Sequence, residues 1–308
     1  MLAEADRVLS VFAGGEQRAD AALAISTLQD GALPAPERGA ELVWQGVRPN
    51  GLFARYWSDG ARWQMDLADA ICARVDVSRG RARIALRPDA AWAVVFGGLT
   101  FVLSMLLRPR GRQVLHGATV ALPTPPHRSA LIVGDSGAGK TTTALACAEA
   151  GLRLLADDSS VLSAGENGCE LWGLPRPCKV HRRTMELCPN LASLPSEPVP
   201  GDGQERAIDL RYISASHATV TRPDVVLVLR ALNAERHELT PLAPVDALTC
   251  LLRGNLRIAG DPRAAGPSGE AFAAMAELTR QTRCYALSAG PDMPTLGELV
   301  RRTLEAGR

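Results

Sequence analysis

The chain has 308 residues, of which 22% are charged and 46% hydrophobic, with a formal net charge of +1. That length suffices for one large domain or two with a normal core, and the balanced charge excludes the global field of a protein that holds nucleic acid or an anionic membrane by charge. Seven cysteines lie scattered without a close CxxC pair, which fits a reducing compartment and buried thiols. Cys178 and His181 are spaced like metal ligands with Cys169 and Cys188 near, but the set lacks the paired spacing of a zinc module.

Met1-Leu2-Ala3-Glu4-Ala5-Asp6 carries acidic residues early and no basic region leading into an apolar core, so it does not read as a secretory signal and a cytoplasmic location is expected. Residues 51–57, 63–67 and 82–86 are short, partly alternating segments separated by turn signals such as Ser58-Asp59-Gly60 and Ser78-Arg79-Gly80, and they predict a small antiparallel sheet. The apolar stretch 91–107 contains Gly97, Gly98, Thr100 and Ser104 and is short for a membrane span, so it predicts a buried helix packed on that sheet. Residues 1–110 thus read as a small α+β domain, in which no chemistry stands out.

Residues 111–308 read as an α/β domain. Strands are expected at 114–122, 130–133, 152–156, 170–173, 224–230 and 284–288, and helices at 141–150, 180–187, 244–252, 270–279 and 296–304. Gly151 is a natural helix stop. The Pro-, Gly- and Ser-rich segment 189–203 predicts a mobile loop, and 260–269 a second loop.

The motif that carries chemistry is Gly134-Asp135-Ser136-Gly137-Ala138-Gly139-Lys140-Thr141, followed by Thr142. It follows the apolar run 130–133 and precedes a helix, the context a phosphate-binding loop requires. Glycines let backbone N–H groups turn around phosphate oxygens, and the helix adds its positive N-terminal end. Lys140 would reach the β and γ phosphates of ATP, and Thr141 would hold Mg²⁺.

The second feature is Asp157-Asp158, at the carboxyl end of the strand after that helix, where ligand sites gather in α/β sheets. In isolation Asp-Asp-Ser-Ser would favour a turn or a helix cap. Beside a phosphate loop, two carboxylates can serve a cation and a proton transfer together: Asp158 as the base that accepts a hydroxyl proton, Asp157 as the ligand of Mg²⁺ or its waters.

The loop, the helix and the run from Ala150 to Asp158 resemble the catalytic core of the HPr serine kinase/phosphorylase family, and Leu115-His116-Gly117-Ala118-Thr119-Val120 is similar to that family's histidine-bearing strand. The resemblance spans residues 114–188. It implies a nucleotide site shared with phosphoenolpyruvate carboxykinases and an ATP-dependent kinase acting on a Ser/Thr-type hydroxyl of a protein, peptide or small molecule. It also implies His116, Lys140, Asp157 and Asp158 in the active site and a possible homo-oligomer. The chain departs from the family pattern after Trp172-Gly173-Leu174-Pro175, where Arg176-Pro177-Cys178-Lys179-Val180-His181-Arg182-Arg183 stands in place of a glutamate signature. Glu186 is a poorly spaced substitute, and Arg253 the candidate for a downstream arginine. With its different first third, the chain resembles the divergent members, some of which modify ribosomally made peptide precursors. Lys179 would direct a cation toward an acidic peptide or the γ-phosphate.

Two other functions compete. A nucleotide-binding regulator or pseudo-kinase would use ATP to order segment 189–203 for a partner. A transporter- or motor-type ATPase is disfavoured, because Leu162-Ser163-Ala164-Gly165-Glu166 lies too close to Lys140 and the strand 225–229 ends in Arg230 rather than an acid.

Overall fold

The computed structural model describes residues 21–28, 32–48, 51–125, 127–174, 176–199, 204–214, 220–231, 234–256 and 269–307. They fall in two compact units, one drawn from Met1–Val114 and Leu256–Ser268, the other from Leu115–Asn255 and Gly269–Arg308. The segment Met1 to Asp6 lies outside the described residues.

In the first unit, β1 (Ala22–Thr27), β2 (Glu41–Val47), β3 (Phe53–Ser58), β4 (Arg62–Leu67), β5 (Ile71–Asp76) and β6 (Arg81–Leu86) form a sheet in the order β1-β6-β5-β4-β3-β2. Tyr56, Met65, Leu67, Ile71, Ala73, Val75, Ile84 and Leu86 are buried on one face, as a period of two requires. Helix α1 (Trp92–Leu107) packs there through Val94, Val95, Leu99, Val102 and Leu106. Its glycines permit the contact: a Cβ at Gly97 would lie 2.6 Å from Leu67 Cδ2, and one at Gly98 3.3 Å from Ile71 Cγ2. Among the described residues no helix is long and apolar enough to cross a membrane. The expected sheet was antiparallel, but β1 pairs with β6 in parallel. A strand's local sequence does not encode the direction of its neighbour. This unit also holds a cavity of about 410 Å³ lined by Arg55, Trp57, Asp66, Asp69, Arg87 and residues 32–36, a feature no motif announced.

The second unit follows β7 (Arg112–His116) with β8 (Ala118–Ala121), β9 (Arg128–Val133), α2 (Lys140–Glu149), β10 (Arg153–Ala156), β11 (Ser159–Gly165) and β12 (Gly168–Gly173). Then come β13 (Cys178–His181), α3 (Arg182–Leu187), β14 (Ser196–Pro198), β15 (Glu205–Ile208), α4 (Leu210–Ile213), β16 (Arg222–Ala231) and β17 (Glu238–Pro241). Helices α5 (Pro244–Leu256) and α6 (Gly269–Gln281), strand β18 (Arg283–Ser288) and helix α7 (Met293–Glu305) complete it. The main sheet has the order β10-β8-β9-β16-β18-β17, with β9, β16 and β18 mutually parallel. Strand β8 runs antiparallel to both β9 and β10, so those two point the same way.

Both faces of this sheet are covered. Ala130 and Ile132 of β9 enter the cluster containing α2 and α7, while Leu131 and Val133 enter the one containing α5 and α6. Unbroken apolar runs are what a strand buried on both faces needs. Helix α7 approaches α2 so closely that a Cβ at Gly297 would sit 2.2 Å from the Ala146 carbonyl. Smaller sheets, β12-β11-β7 and β13-β15-β14, complete the mixed α/β unit.

Several expected elements change. The strand 114–122 is broken at Gly117, whose N–H leaves the ladder to donate to the Asp158 carbonyl at 2.8 Å. The helix expected over 180–187 starts at Arg182, because β13 pairs with β15 through His181 and the His181 Nδ1 then caps the helix by accepting from Arg183 N–H at 3.3 Å. Segment 189–203 contains a short 3₁₀ helix (Pro189–Ser193) and β14; its residues 200–203 lie outside the described set. Gly269 opens α6, and residues 260–268 also lie outside that set.

Candidate functional site

The site gathers at the carboxyl ends of β9 and β10, which lie at one edge of the main sheet because both strands run the same way. From β9 the chain enters the glycine loop 134–139 and turns into α2 at Lys140. Gly137 and Gly139 have φ of +79° and +89°, the left-handed region where a side chain is disfavoured. A Cβ at Gly134 would lie 3.1 Å from Leu229 Cβ, so that position too favours glycine. Ala138 N–H donates to the Asp135 carbonyl at 3.1 Å, closing the turn. Lys140 folds back over the loop, donating to the carbonyls of Gly134 at 2.8 Å and Asp135 at 3.0 Å. Burial pulls its pKa down, against the opposing charges of Asp158, Asp135 and Asp157.

The register of β8 on β10 sets Thr119 opposite Ala156, which brings Gly117 to the Asp158 backbone and His116 to its side chain. His116 Nδ1 lies 3.2 Å from Asp158 Oδ1. The His116 N–H donates to Asn255 Oδ1 at 2.7 Å, and Asn255 in turn donates to the Leu251 carbonyl at 2.8 Å, which fixes the histidine from the end of α5. On the other side, Ser160 Oγ donates to the Gly117 carbonyl at 3.0 Å and lies 2.6 Å from Thr119 Oγ1. The Asp-Asp-Ser-Ser segment is therefore neither a turn nor a helix cap; the chain runs directly into β11.

Arg176 is the residue sequence reasoning left without a role. The end of β12 crosses β10 so tightly that a Cβ at Gly173 would lie 1.9 Å from the Leu155 carbonyl oxygen. Leu174 N–H then donates to the Ser159 carbonyl at 3.0 Å. That path delivers Arg176 to the acid pair, with Nε 3.2 Å from Asp157 Oδ1 and a terminal nitrogen 3.2 Å from Asp158 Oδ1. The guanidinium fork spans both carboxylates, which a lysine's point charge could not do.

The two acids are not equivalent. Asp157 is 1% exposed, and its Oδ2 is a buried oxygen with no hydrogen-bond partner among the described residues. Burial raises its pKa; the Arg176 charge opposes that rise and the Asp158 charge adds to it. Asp158 is 30% exposed. Burial would raise it too, but the Arg176 charge and the His116 contact outweigh that and hold its carboxyl well below the usual range, helped by Ser159 Oγ donating to Oδ2 at 3.0 Å.

The remaining sequence candidates are placed as follows. Asp135 and Ser136 are exposed at the loop tip, and Thr141 opens onto the same turn of α2. The Thr142 hydroxyl is 2.8 Å from that of Thr184, joining α2 to α3. Lys179 pairs with Glu205 at 3.3 Å. Glu186 pairs with Arg182 at 3.2 Å and Arg183 at 3.5 Å on the exposed face of α3, away from the acid pair. Arg253 is an exposed residue of α5. Cys178 and His181 fall on opposite faces of β13, one buried and one exposed, and no group of three or more His, Cys, Asp or Glu among the described residues could hold a metal by itself. Leu162 to Glu166 form part of the β11–β12 hairpin. The seven cysteines carry free thiols, six of them buried.

No family model matches the chain, and no curated protein matches it. Among solved structures it is similar to the HPr(Ser) kinase/phosphatase from Coxiella burnetii, at 14% identity over 62% of this chain and 90% of that one, with a TM-score of 0.30. With an overlap of that extent, the functional reading stands on the side chains.

Proposed function

We propose that the second unit is an ATP-dependent phosphotransferase that moves the γ-phosphate to a Ser/Thr-type hydroxyl of a protein, a peptide such as a ribosomally made precursor, or a small molecule. The observation that carries this reading is the meeting of the glycine loop and its Lys140 with the Asp157–Asp158–His116 group at one edge of the sheet. Phosphoryl transfer needs a phosphate cradle, positioned cations and a proton acceptor, and little covalent chemistry from the protein. Lys140, once released from its own loop carbonyls, is the cation for the transferring phosphate. The carboxylate–imidazole pair of Asp158 and His116 receives the hydroxyl proton.

The residues present fit a magnesium ion. Mg²⁺ is bound through one or two carboxylates together with substrate phosphates, and the unpartnered Asp157 Oδ2 and the Thr141 hydroxyl are the oxygens that would hold it. When bound, it neutralises phosphate charge.

The test is incubation of the purified chain with labelled ATP, Mg²⁺ and a panel of peptides and free hydroxy compounds, read by mass spectrometry for an added phosphate. Transfer to a hydroxyl supports the reading. ATP binding without transfer to any acceptor, water included, would favour the nucleotide-binding regulator, a reading encouraged by Arg176 already occupying both carboxylates. Failure to bind ATP would sink both.

A further inference from the structure

Resting on the phosphotransferase reading, we infer that His116 Nε2, rather than a carboxylate oxygen, takes the acceptor's proton, with Asp158 as the positioning residue that holds the imidazole. The assignment follows from which lone pairs of the site are already committed. Asp158 Oδ1 faces both Arg176 and His116 Nδ1 at 3.2 Å, and its Oδ2 accepts from Ser159 at 3.0 Å. Donors directed at a carboxylate stabilise its charged form and weaken it as a base. Asp157 Oδ1 is taken by Arg176, and Asp157 Oδ2, buried and without a hydrogen-bond partner among the described residues, is the oxygen suited to a cation rather than to an incoming hydroxyl.

His116 differs from both acids. Its side chain is 25% exposed, and Nε2 has no partner among the described residues. Asp158 enters the contact as an acceptor, since Arg176 already faces its Oδ1 and Ser159 donates to its Oδ2. Nδ1 is therefore the donor, which leaves the Nε2 lone pair free. The backbone is pinned on both sides of the ring, by Asn255 on the His116 N–H and by the Gly117 N–H on the Asp158 carbonyl. A carboxylate orienting one ring nitrogen while the other accepts a proton is an arrangement used widely for hydroxyl activation.

In the step so assigned, the acceptor oxygen forms a bond to the γ-phosphorus, and the bond from that phosphorus to the β–γ bridging oxygen breaks. Its electron pair leaves with ADP. The hydroxyl proton passes to His116 Nε2, and the imidazolium is stabilised by Asp158 until it returns the proton to solvent.

The experiment uses the full chain with Mg-ATP and water as the acceptor, following phosphate release, with ATP affinity measured separately through a fluorescent nucleotide. His116→Ala is expected to slow release by about 100-fold, the low end for a general base, while ATP affinity stays within about twofold. Free imidazole should then restore at least about tenfold in His116→Ala, and nothing in Asp158→Asn. His116→Gln serves as a second variant that keeps a polar group opposite Asp158, and thermal melting confirms that both fold. Release within about threefold of the parent in either His116 variant would overturn the inference. So would a loss in His116→Ala that imidazole leaves untouched, since the proton would then belong to Asp158. A parent protein that binds ATP yet passes phosphate neither to water nor to any hydroxyl of the peptide and hydroxy-compound panel defeats the phosphotransferase reading itself, and the inference with it.

Discussion

Replacing Arg176 with methionine keeps the aliphatic bulk and removes a guanidinium that faces two carboxylates at 3.2 Å. Arg176 is 14% exposed and Asp157 1%, so the variant leaves a charge in a site almost closed to water. Breaking a buried pair by removing one partner costs about 3–5 kcal/mol. Asp158 keeps His116 and Ser159 as partners, which places the expected loss at the lower end, about 3 kcal/mol. For a unit of this size that corresponds to a fall in Tm of about 6–12 °C.

The loss has to depend on pH, and its sign follows from Asp157. Burial raises its pKa while Arg176 opposes the rise, so removing Arg176 lets it climb further. A carboxylate whose pKa is higher in the folded state than in the unfolded chain disfavours folding above the unfolded value, and that penalty fades as pH falls through the raised one. The gap between variant and parent therefore narrows from about pH 8 to about pH 5. Urea unfolding followed by circular dichroism at both values measures it. A loss under about 1 kcal/mol at the higher pH, or an equal loss at both, refutes the assignment of Arg176 as counter-ion to the acid pair.

Gly173→Ala puts a methyl group 1.9 Å from the Leu155 carbonyl, two residues before Asp157, and should cost about 1–3 kcal/mol while lowering phosphate transfer; melting and turnover that both match the parent would contradict it. Lys140→Met should abolish ATP binding by calorimetry while leaving Tm equal or higher, because burial makes the lysine charge a cost to the folded state; a marked fall in Tm would show otherwise. Glu298, held down to about 2 by hydrogen bonds from Arg301 and Arg302, stabilises the fold above the ordinary carboxylate range and loses that effect as pH falls toward its lowered value. Glu298→Gln should therefore lower Tm at neutral pH and leave it unchanged near the acid limit.

The glycine loop was legible because its requirements are local: glycine where φ is positive, an apolar strand before, a helix after. The buried runs 129–133 of β9 and 225–229 of β16 were legible for a similar reason, since burial on both faces demands continuous apolar runs. The break at Gly117 was not, because it depends on a hydrogen bond to a residue 41 positions away. Arg176 was equally hidden. A lone arginine after a proline has no local signature, and its partners are decided by how closely β12 can cross β10 at Gly173.

The sequence by itself determined the loop, the acid pair at a strand end and the α/β class, all of which follow from residue type and periodicity over a few turns of chain. The tertiary structure decided how those parts meet. Strand register carried His116 to Asp158, and a glycine crossing carried Arg176 to both acids. Among the described residues, the resulting hydrogen bonds leave Asp157 Oδ2 and His116 Nε2 of the acid–imidazole group uncommitted. Which lone pairs remain free depends on neighbours distant in the chain, and only the packed fold brings those neighbours together.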